Sequence, residues 1–435
     1  MKKLTSLLLS ILMILGIFAG CGEGTAETTA PTTEPEVAHT LSVGFGRADV
    51  TPTEPTPLGG LGDTLNRFHT GVKDNLYLSC TAFTDETGTT MLLFSLDVRS
   101  VSDAMLMGAA KVARKTGVPA ANIIVATNHS HSAPDPYTNH YSIENYNKLL
   151  QEKMLETAEA ALADRKPATM SLNTVNPEGY CFIRHYELSD GTYAGDNFGK
   201  FSGKTIVGHT READNALQLV KFTREDAKDI ILMNWQGHPT GHSGDDRDKI
   251  LSFSGSIIAE VEKGLDCYAV YVLGASGNVN NSSRISSENA YSTYKEKAAG
   301  LAKYIIDAES SYQEAALGKI QIAETKIACA SKSGGTVDIP IDAYAIGDFA
   351  LAAAPYEMYC ENGLAIKEAS GFKTTFISTC TNGRSGNYIP SEFAYTYNNK
   401  PDVVYGISQT AYAQGSAELL QEGFVSLLKQ LQEAK

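Results

Sequence analysis

The stretch NIIVATNHSHSAP, residues 122–134, places a continuous apolar run directly before a cluster of polar side chains. The run NIIVAT has the length and the β-branched content of a buried strand. His129 and His131 follow it, on either side of Ser130. Binding sites in open α/β sheets lie beyond the carboxyl ends of the strands, because the connecting loops converge there. A His-x-His pair alone fits metal binding, proton transfer or a plain loop, so the remaining sequence has to decide.

Short apolar runs alternate with helical periodicity along the chain of 435 residues. Strands are predicted at 41–48, 75–83, 90–98, 122–127, 216–222, 229–235, 267–274, 348–354 and 373–380. Helices are predicted at 101–116, 142–164, 254–264, 287–312, 357–368 and 409–433. Strands separated by helices indicate an α/β fold. We therefore expect a single large α/β domain with a mixed, partly parallel sheet, flanking helices and an active site at the carboxyl ends of the strands.

Four further strands end in polar clusters that a hydrophobic core would exclude. These clusters are QGHPTGH after 229–235, ASGNVNN after 267–274, PYE after 348–354 and TNGRSGNYIPSEFAY after 373–380. They contain His238, His242 and Glu357, and Glu357 is predicted to stand where a helix begins. Because several strand ends would deliver such side chains to one edge of the sheet, the clusters predict a site there.

His129, His238 and Glu357 together offer two imidazole nitrogens and one carboxylate. This donor set suits zinc, whose catalytic sites use about three protein ligands and keep one position open. Zinc lowers the pKa of water to about 7 and polarises carbonyl groups, which hydrolysis near neutral pH requires. A plainer interpretation stands beside this one. A loop histidine such as His242 is usually solvated, and a carboxylate at a helix start is favoured by the helix dipole.

The charge balance argues against two classes of partner. The formal net charge is −14 at pH 7, and no cluster of Lys and Arg occurs in the sequence. Recognition of nucleic acid or of anionic lipid headgroups needs such clusters. We therefore expect neither nucleic acid nor anionic lipid to be the main partner of this protein.

The first 40 residues predict an export signal and a tether. Residues 1–20 combine the basic MKK with an apolar stretch that is short for a membrane span. They resemble a bacterial lipoprotein signal, in which Cys21 is lipidated and becomes the mature N-terminus; plain secretion is the alternative. Residues 21–40 are rich in Thr, Pro and Glu, so we expect a disordered tether before a domain at 41–435. The lipid anchor alone would then hold the protein at the extracytoplasmic face of the cell membrane.

The cysteines give a weaker indication. Cys80, Cys267 and Cys329 lie inside apolar, strand-like runs, so buried thiols are expected there. The spacings contain no CxxC pair, which argues against a thiolate zinc site. Disulfides are allowed in an exported protein, and Cys360 with Cys380 is the one pairing that we would suggest.

Over residues 41–433 the sequence resembles the N-terminal catalytic domain of the neutral/alkaline non-lysosomal ceramidases. The segments that carry the resemblance are VGFGRADVTP (43–52), HTGVKDNLYLSCTAF (69–83), NHSHSAP (128–134), NWQGHPT (234–240), PYE (355–357) and YIPSEFAY (388–395). The resemblance implies a zinc ion held by His129, His238, Glu357 and the phenolic oxygen of Tyr388.

The resemblance also implies roles for residues around the metal. His131 is expected to face the substrate and to act as general acid and base. Arg184, in FIRHY, is similar to an arginine near the family's active site. Tyr395 would help to stabilise the tetrahedral intermediate by donating from its hydroxyl.

Two departures from the family bear on the chemistry. The ceramide-cleaving members carry GDVSPN, whose serine is regarded as the nucleophile, and the matching stretch here is GNVNNS, with Asn280 in place of that serine. An amide side chain cannot form an acyl-enzyme. The sequence also lacks a match to the family's C-terminal β-sandwich domain. We therefore predict an exported zinc-dependent hydrolase of an amide (N-acyl, ceramide-like) or ester bond that uses zinc-activated water. The alternative is a lipid-anchored, non-catalytic zinc-containing binding protein.

Overall fold

The apolar run before the His-x-His pair forms a strand at the edge of a large mixed sheet. The computed structural model describes residues 39–61, 66–197, 201, 203–240, 246–384 and 388–435. Its strands are β1 (Leu41–Asp49), β2 (Tyr77–Asp85), β3 (Thr90–Leu96), β4 (Ile123–Thr127), β5 (Lys166–Val175), β6 (Phe182–Ile183), β7 (His185–Leu188), β8 (Tyr193–Gly195), β9 (Ile206–His209), β10 (Leu217–Arg224), β11 (Asp229–Trp235), β12 (Cys267–Leu273), β13 (Val279–Asn280), β14 (Gln313–Ala315), β15 (Ile320–Ala330), β16 (Thr336–Ile346), β17 (Phe349–Ala353), β18 (Glu357–Met358), β19 (Thr374–Ser378) and β20 (Tyr388–Ile389). Its α-helices are α1 (Asp103–Thr116), α2 (Tyr141–Ala163), α3 (Phe253–Gly264), α4 (Tyr294–Asp307), α5 (Cys360–Ala369), α6 (Tyr405–Gln409) and α7 (Ser416–Glu433).

The larger sheet curls until its two end strands lie close together. In the described part of the chain it has nine strands, in the order β12-β11-β10-β5-β1-β2-β3-β4, with β14 beside β5. The pairs β3–β4 and β11–β12 are parallel, and the other pairs are antiparallel. Although β4 and β12 end this order, they contact each other, and Ser95 Oγ on β3 donates to Tyr271 O on β12 at 2.7 Å. The loops after β4 and β11 therefore meet.

A second sheet, with the order β15-β16-β17-β19, packs against one face of the larger sheet. Side chains on β17 alternate between two hydrophobic clusters. Phe349 and Leu351 pack in the cluster between the sheets, whereas Ala350 and Ala352 pack in the cluster that includes residues of α5 and α7. Because successive side chains of a strand point to opposite faces, the second sheet is buried on both sides. This burial explains why its sequence, FALAA, is apolar throughout.

Helices α1 to α4 cover the other face of the larger sheet. The pair α1 and α2 packs over β1 to β4, and the pair α3 and α4 packs over β10 to β12. Side-chain caps fix where all four of these helices begin: Ser102 for α1, His140 for α2, Ser252 for α3 and Thr293 for α4, where Glu296 completes a capping box. Each such cap is worth about 1 kcal/mol because it satisfies a backbone N–H that the helix leaves unpaired.

The predicted fold class is confirmed, and every predicted strand and helix has a counterpart. Three long strands, β5, β15 and β16, were not predicted. In β5, which reads KPATMSLNTV, the buried side chains are Met170 and Leu172. Two apolar positions are too few to show the alternation that identifies a strand in the sequence. The helix predicted at 287–312 is shorter, because α4 begins after its Thr293 cap and ends at Asp307.

Two local predictions were wrong. The helix predicted at 357–368 begins at Cys360, so Glu357 lies in the short strand β18 and does not start a helix. Pairing of β18 with β20 holds that backbone extended. The suggested disulfide is not formed either, since Cys360 and Cys380 are free thiols. Cys380 Sγ lies 3.5 Å from His129 Nδ1 instead.

The residues from His39 to Lys435 form one compact unit. Within the described ranges, no helix is long and apolar enough to cross a membrane. The predicted signal at 1–20, the lipidation site Cys21 and His242 lie outside the described residues.

Candidate metal centre

The loops that follow β3, β4 and β11 and the short strands β13, β18 and β20 contribute to the lining of a cavity of about 470 Å³. Six of the residues that the sequence singles out line it: His129, His131, Arg184, His238, Glu357 and Tyr388. The parallel pairs β3–β4 and β11–β12 both end at this cavity, as the strand-end rule for α/β sheets requires.

Three imidazole rings form a nearly regular triangle at the base of the cavity. The ring centroids of His129, His131 and His238 are 4.9 Å apart in all three pairs. One nitrogen from each ring lies within 4.8 Å of the other two, so the described residues contain a group of three histidines that can hold a metal ion. The three residues are at most 8% exposed, so most of each side chain is shielded from solvent.

Backbone carbonyls orient two of the three rings. His129 Nδ1 donates to Arg99 O at 2.6 Å, and His238 Nδ1 donates to Ser276 O at 3.1 Å. Each bond places the proton on Nδ1 and leaves the lone pair on Nε2 free to bind a metal. Histidine ligands in metal sites are oriented in this way by a second hydrogen bond. The structure therefore prepares both Nε2 atoms as ligands.

The interatomic distances suit a small tetrahedral ion. His131 Nε2 lies 3.1 Å from His238 Nε2, and His129 Nε2 lies 3.4 Å from Glu357 Oε2. Two ligand atoms bound to zinc at 2.0–2.1 Å in tetrahedral geometry would stand about 3.3 Å apart. Among the described residues, His129 Nε2 and Glu357 Oε2 are buried and make no hydrogen bond. A metal ion between them would satisfy both atoms, so the donor set fits zinc.

Charge stabilisation links Glu357 to the histidines. Burial by itself would raise the pKa of Glu357, but the neighbouring His129 and the Tyr388 hydroxyl hold that pKa below its usual range. Burial would lower the pKa of His129, and Glu357 overrides this effect and raises it. The pKa of His238 is lowered to about 3 by burial and by the charge on His129, so its imidazole is neutral at pH 7. The carboxylate of Glu357 and the neutral imidazole of His238 are in the states that bind a divalent metal, and His129 would release its additional proton when the metal binds.

Arg184 and Tyr388 form the wall next to Glu357. The guanidinium carbon of Arg184 lies 5.1 Å from the centre of the Tyr388 ring, and one of its nitrogens donates to Gly277 O. Burial would lower the pKa of Arg184, but the phenolic oxygens of Tyr388 and Tyr359 raise it. Arg184 therefore brings a permanent positive charge to the cavity.

The backbone around the histidine pair adopts restricted conformations. His129 has φ 56°, in the left-handed region that side chains rarely enter. Gly60, with φ 92°, runs across the His131 ring, and a Cβ there would lie 2.4 Å from His131 Cγ. Glycine is therefore required at position 60 for the chain to cover His131.

The structure does not bring Tyr395 into the site. Tyr395 is absent from the described lining of the cavity, and its neighbours are the carboxylates of Glu392 and Glu418. Tyr405, from α6, lines the cavity instead, with its ring centroid 5.7 Å from that of Tyr388. Nothing in the sequence around Tyr405 indicates this, because only the packing of α6 beside β20 brings it to the cavity.

Two arginines near the site were also missed. Arg99 lines the cavity directly after the strand predicted at 90–98, so the strand-end rule could have found it. Arg67 is buried, and its guanidinium donates to His131 O at 3.1 Å and to Gly59 O at 2.6 Å. The sequence gives no such signal for Arg67, which lies in a loop far from His131 in the chain.

Asn280 lines the cavity from β13, beside the metal-binding residues. Its Nδ2 donates to Asp196 Oδ2 at 2.6 Å, which turns its amide oxygen away from Asp196. The carboxylate of Asp196 is further paired with Arg284. The position that the resemblance assigns to a serine is therefore occupied by a fixed amide.

Comparisons with known proteins give structural matches alone. No family model and no curated protein matches the sequence. Neutral ceramidase from Pseudomonas aeruginosa superposes with a TM-score of 0.70 at 15% identity, covering 91% of this chain and 75% of that one. A ceramidase complexed with C2 superposes with a TM-score of 0.69 at 14% identity, covering 91% of this chain and 76% of that one. The protein therefore has a ceramidase-like fold, as the sequence motifs predict.

Proposed function

We propose that the protein is a zinc-dependent hydrolase of an amide bond, with an N-acyl compound as substrate. One observation carries the proposal: three buried histidines and Glu357 converge at the base of an open cavity, where His129 Nε2 and Glu357 Oε2 lie 3.4 Å apart. The ceramidase-like fold supports amide hydrolysis as the reaction, because the matched proteins are ceramidases. An ester substrate would use the same machinery.

His129, His238, Glu357 and Tyr388 would hold the metal in this proposal. Zinc bound there supplies a Lewis acid that polarises a carbonyl group and acidifies water to a pKa of about 7. The carboxylate of Glu357 balances part of the metal charge. Tyr388 pairs with Glu357 in the register of β18 and β20, and its hydroxyl helps to lower the pKa of the Glu357 carboxyl, which supports a ligand role.

The remaining residues of the cavity would act on the substrate. His131 takes a proton from the attacking water and delivers it to the departing amine, a task that imidazole performs near neutral pH. Arg184 and Tyr405 face the cavity and stabilise the negative charge that develops on the carbonyl oxygen. Asn280 holds its place by hydrogen bonding and offers no nucleophile, so water attacks directly.

We further propose that the protein is exported and anchored by a lipid on Cys21. The support is the sequence of residues 1–20 and the Thr- and Pro-rich segment that follows. Anchoring would place the cavity near the membrane surface, where lipid amides are available. Globomycin treatment of the producing cell, which blocks lipoprotein signal cleavage, should then leave a precursor that is larger by the mass of the signal.

The test of the hydrolase combines metal analysis with turnover. We expect about one zinc per purified protein and hydrolysis within a panel of N-acyl lipids, acylated amino sugars and acylated amino acids. His129→Ala should lose both the metal and the activity. His39→Ala is the matched control, because His39 pairs with Glu86 and is absent from the described lining of the cavity. Protein without bound transition metal, with His129→Ala unchanged in stability, would exclude the proposal.

A binding protein without turnover is the second candidate, and Asn280 is the observation that favours it. In this case zinc would organise a pocket that retains a ligand. Ligand affinity would then survive in His131→Ala, and no member of the substrate panel would be cleaved by the wild-type protein. If the wild-type protein cleaves a substrate and His131→Ala does not, the protein is a hydrolase.

A further inference from the structure

We propose that Arg99 forms an anion subsite beside the metal centre, and that the substrate carries a carboxylate that binds there. The inference rests on the proposed hydrolase function and deepens it by naming a substrate class, N-acyl amino acids and related N-acyl compounds with a free carboxylate. Ceramide has no such group, so the subsite would separate this protein from the ceramidases that share its fold.

Arg99 reaches the metal centre through both its backbone and its side chain. Its carbonyl oxygen accepts the hydrogen bond from His129 Nδ1 at 2.6 Å. Its side chain lines the same cavity as the three histidines. The residue that orients a metal-binding imidazole therefore also brings a positive charge to the cavity that holds the metal centre.

The guanidinium of Arg99 has hydrogen-bonding capacity to spare. Within the described residues, its side-chain hydrogen bond is one from Nη2 to Asp135 Oδ1, and at 3.4 Å this bond is long. Its Nε is buried against Gly59, so a ligand would have to bind at the two Nη nitrogens of a side chain that is 19% exposed and lines the cavity. A guanidinium carries five N–H donors in a planar fork, and a carboxylate accepts two of them at once. A carboxylate bound here would satisfy donors that the protein itself leaves open.

The position of Arg99 is fixed before any ligand binds. Asp135, whose side chain is 7% exposed, holds one end of the guanidinium. Gly59 packs against the other side, and a Cβ at that position would lie 2.9 Å from Arg99 Nε. A charged group that is held in place loses little conformational entropy when it binds an anion. The arrangement is therefore a prepared site and differs from a solvated surface arginine.

The other charged groups of the cavity have roles in the proposed hydrolysis: Arg184 would stabilise charge on the carbonyl oxygen, and Glu357 would hold the metal. Arg184 donates to Gly277 O and lies over the Tyr388 ring, and Glu357 faces His129. Arg99 pairs with Asp135 at the long distance of 3.4 Å and has no role in the proposed hydrolysis step. A substrate anion would therefore go to Arg99. The planar fork favours a carboxylate.

Two substrates that differ in one group test the proposal. N-octanoylglycine and N-octanoylethanolamine share the acyl chain and the amide, and differ in carrying a carboxylate or a hydroxymethyl group. We expect the wild-type protein to favour N-octanoylglycine at least tenfold in kcat/KM. Arg99→Gln should reduce that preference at least tenfold, mainly by raising the KM of the anionic substrate. Arg114→Gln, at the exposed end of α1, is the matched control and should keep the preference.

Two results would overturn the subsite. One is a wild-type preference close to one, and the other is an Arg99→Gln variant that loses activity on both substrates equally, which indicates a structural role for Arg99. If neither substrate is cleaved, calorimetry with N-octanoylglycine separates this inference from the hydrolase proposal. Binding that weakens at least tenfold in Arg99→Gln, before and after chelation of the metal, supports the subsite even without turnover. If binding of N-octanoylglycine is lost on chelation and is the same in Arg99→Gln as in the wild type, its carboxylate binds the metal. This result would reject the subsite.

Discussion

Glu357 and Tyr388 face each other across the parallel pairing of β18 with β20, although α5 and β19 separate them in the chain. The Tyr388 hydroxyl helps to lower the pKa of the Glu357 carboxyl, and the guanidinium of Arg184 lies over the tyrosine ring. These two strands are only two residues long each. Their pairing nevertheless decides that a carboxylate and a phenol arrive together at the three histidines.

Tyr388→Phe should weaken metal binding. The variant keeps the ring that packs against Arg184 and removes the oxygen that contacts Glu357. Loss of a ligand or of its hydrogen-bond partner typically reduces metal affinity by roughly 10- to 100-fold. Competition with a chromogenic chelator measures the change. Tyr141→Phe, at a site that is 63% exposed, is the control. Equal affinity in the two variants would show that the phenolic oxygen contributes nothing to the centre.

His131→Ala should separate proton transfer from metal binding. If His131 acts on the substrate, the variant keeps the zinc that His129→Ala loses, while kcat falls by about 100-fold or more. Metal content by plasma mass spectrometry and single-turnover kinetics give the two readouts. Loss of metal in His131→Ala to the extent seen in His129→Ala would instead make His131 a third nitrogen ligand, which its 3.1 Å approach to His238 also permits.

Arg67→Met should destabilise the fold and the histidine loop together. The guanidinium is 5% exposed and donates to carbonyl oxygens of His131, Gly59 and Arg247. Removing a buried donor leaves these acceptors unpaired, which costs about 3 kcal/mol of unfolding free energy. Urea unfolding measures the loss. The control is Arg114→Met, on the exposed end of α1, which should stay within about 0.5 kcal/mol of the wild type. A similar loss of unfolding free energy in both variants would contradict a special role of Arg67 in holding the loop of His131.

Lys297 should make stability depend on pH. The side chain is 3% exposed, and burial lowers the pKa of its amine from 10.5 to about 7. Between pH 7 and 10.5 the unfolded chain holds this proton and the folded chain releases it, so this group makes stability rise with pH in that window. Below pH 7 the cost of burying the ammonium is fully present, on the order of 3 kcal/mol after the contact with the Tyr291 ring offsets part of it.

Lys297→Met removes this dependence. Its unfolding free energy should exceed that of the wild type at pH 6, and the difference should shrink by pH 9.5, because methionine fills the same space without a charge. Urea unfolding at both pH values provides the measurement. Lys303→Met, on the exposed face of α4, controls for the loss of charge. A wild-type protein and a Lys297→Met variant with parallel pH profiles would contradict the prediction.

Much of the site could be predicted from the sequence because strand ends carry a local signature. An apolar run followed by a polar cluster is visible without any tertiary information, and it pointed to His129, His238 and Glu357. The cavity brings these residues together. The ceramidase-like motifs added Tyr388 and Arg184, which the structure places in the same cavity.

Where periodicity was the guide, predictions depended on how much of each strand is buried. β4 and β11 are buried on both faces and were found, whereas β5 alternates between buried and exposed positions and was missed. The predicted helix at Glu357 failed for a similar reason. Helical spacing begins at that residue, but its backbone is held extended by a partner strand that lies beyond α5 in the chain.

The sequence by itself determined the α/β class, the strand ends and the types of side chain that they carry, because those follow from the local alternation of apolar and polar residues. The tertiary structure decided which distant segments meet. Curling of the sheet brings the loops after β4 and β11 together. Packing beside β20 brings Tyr405 to the cavity in place of Tyr395. The buried guanidinium of Arg67 donates a hydrogen bond to His131 O. Such contacts depend on strand order and on the shape of the packed core, which no local pattern of residues encodes.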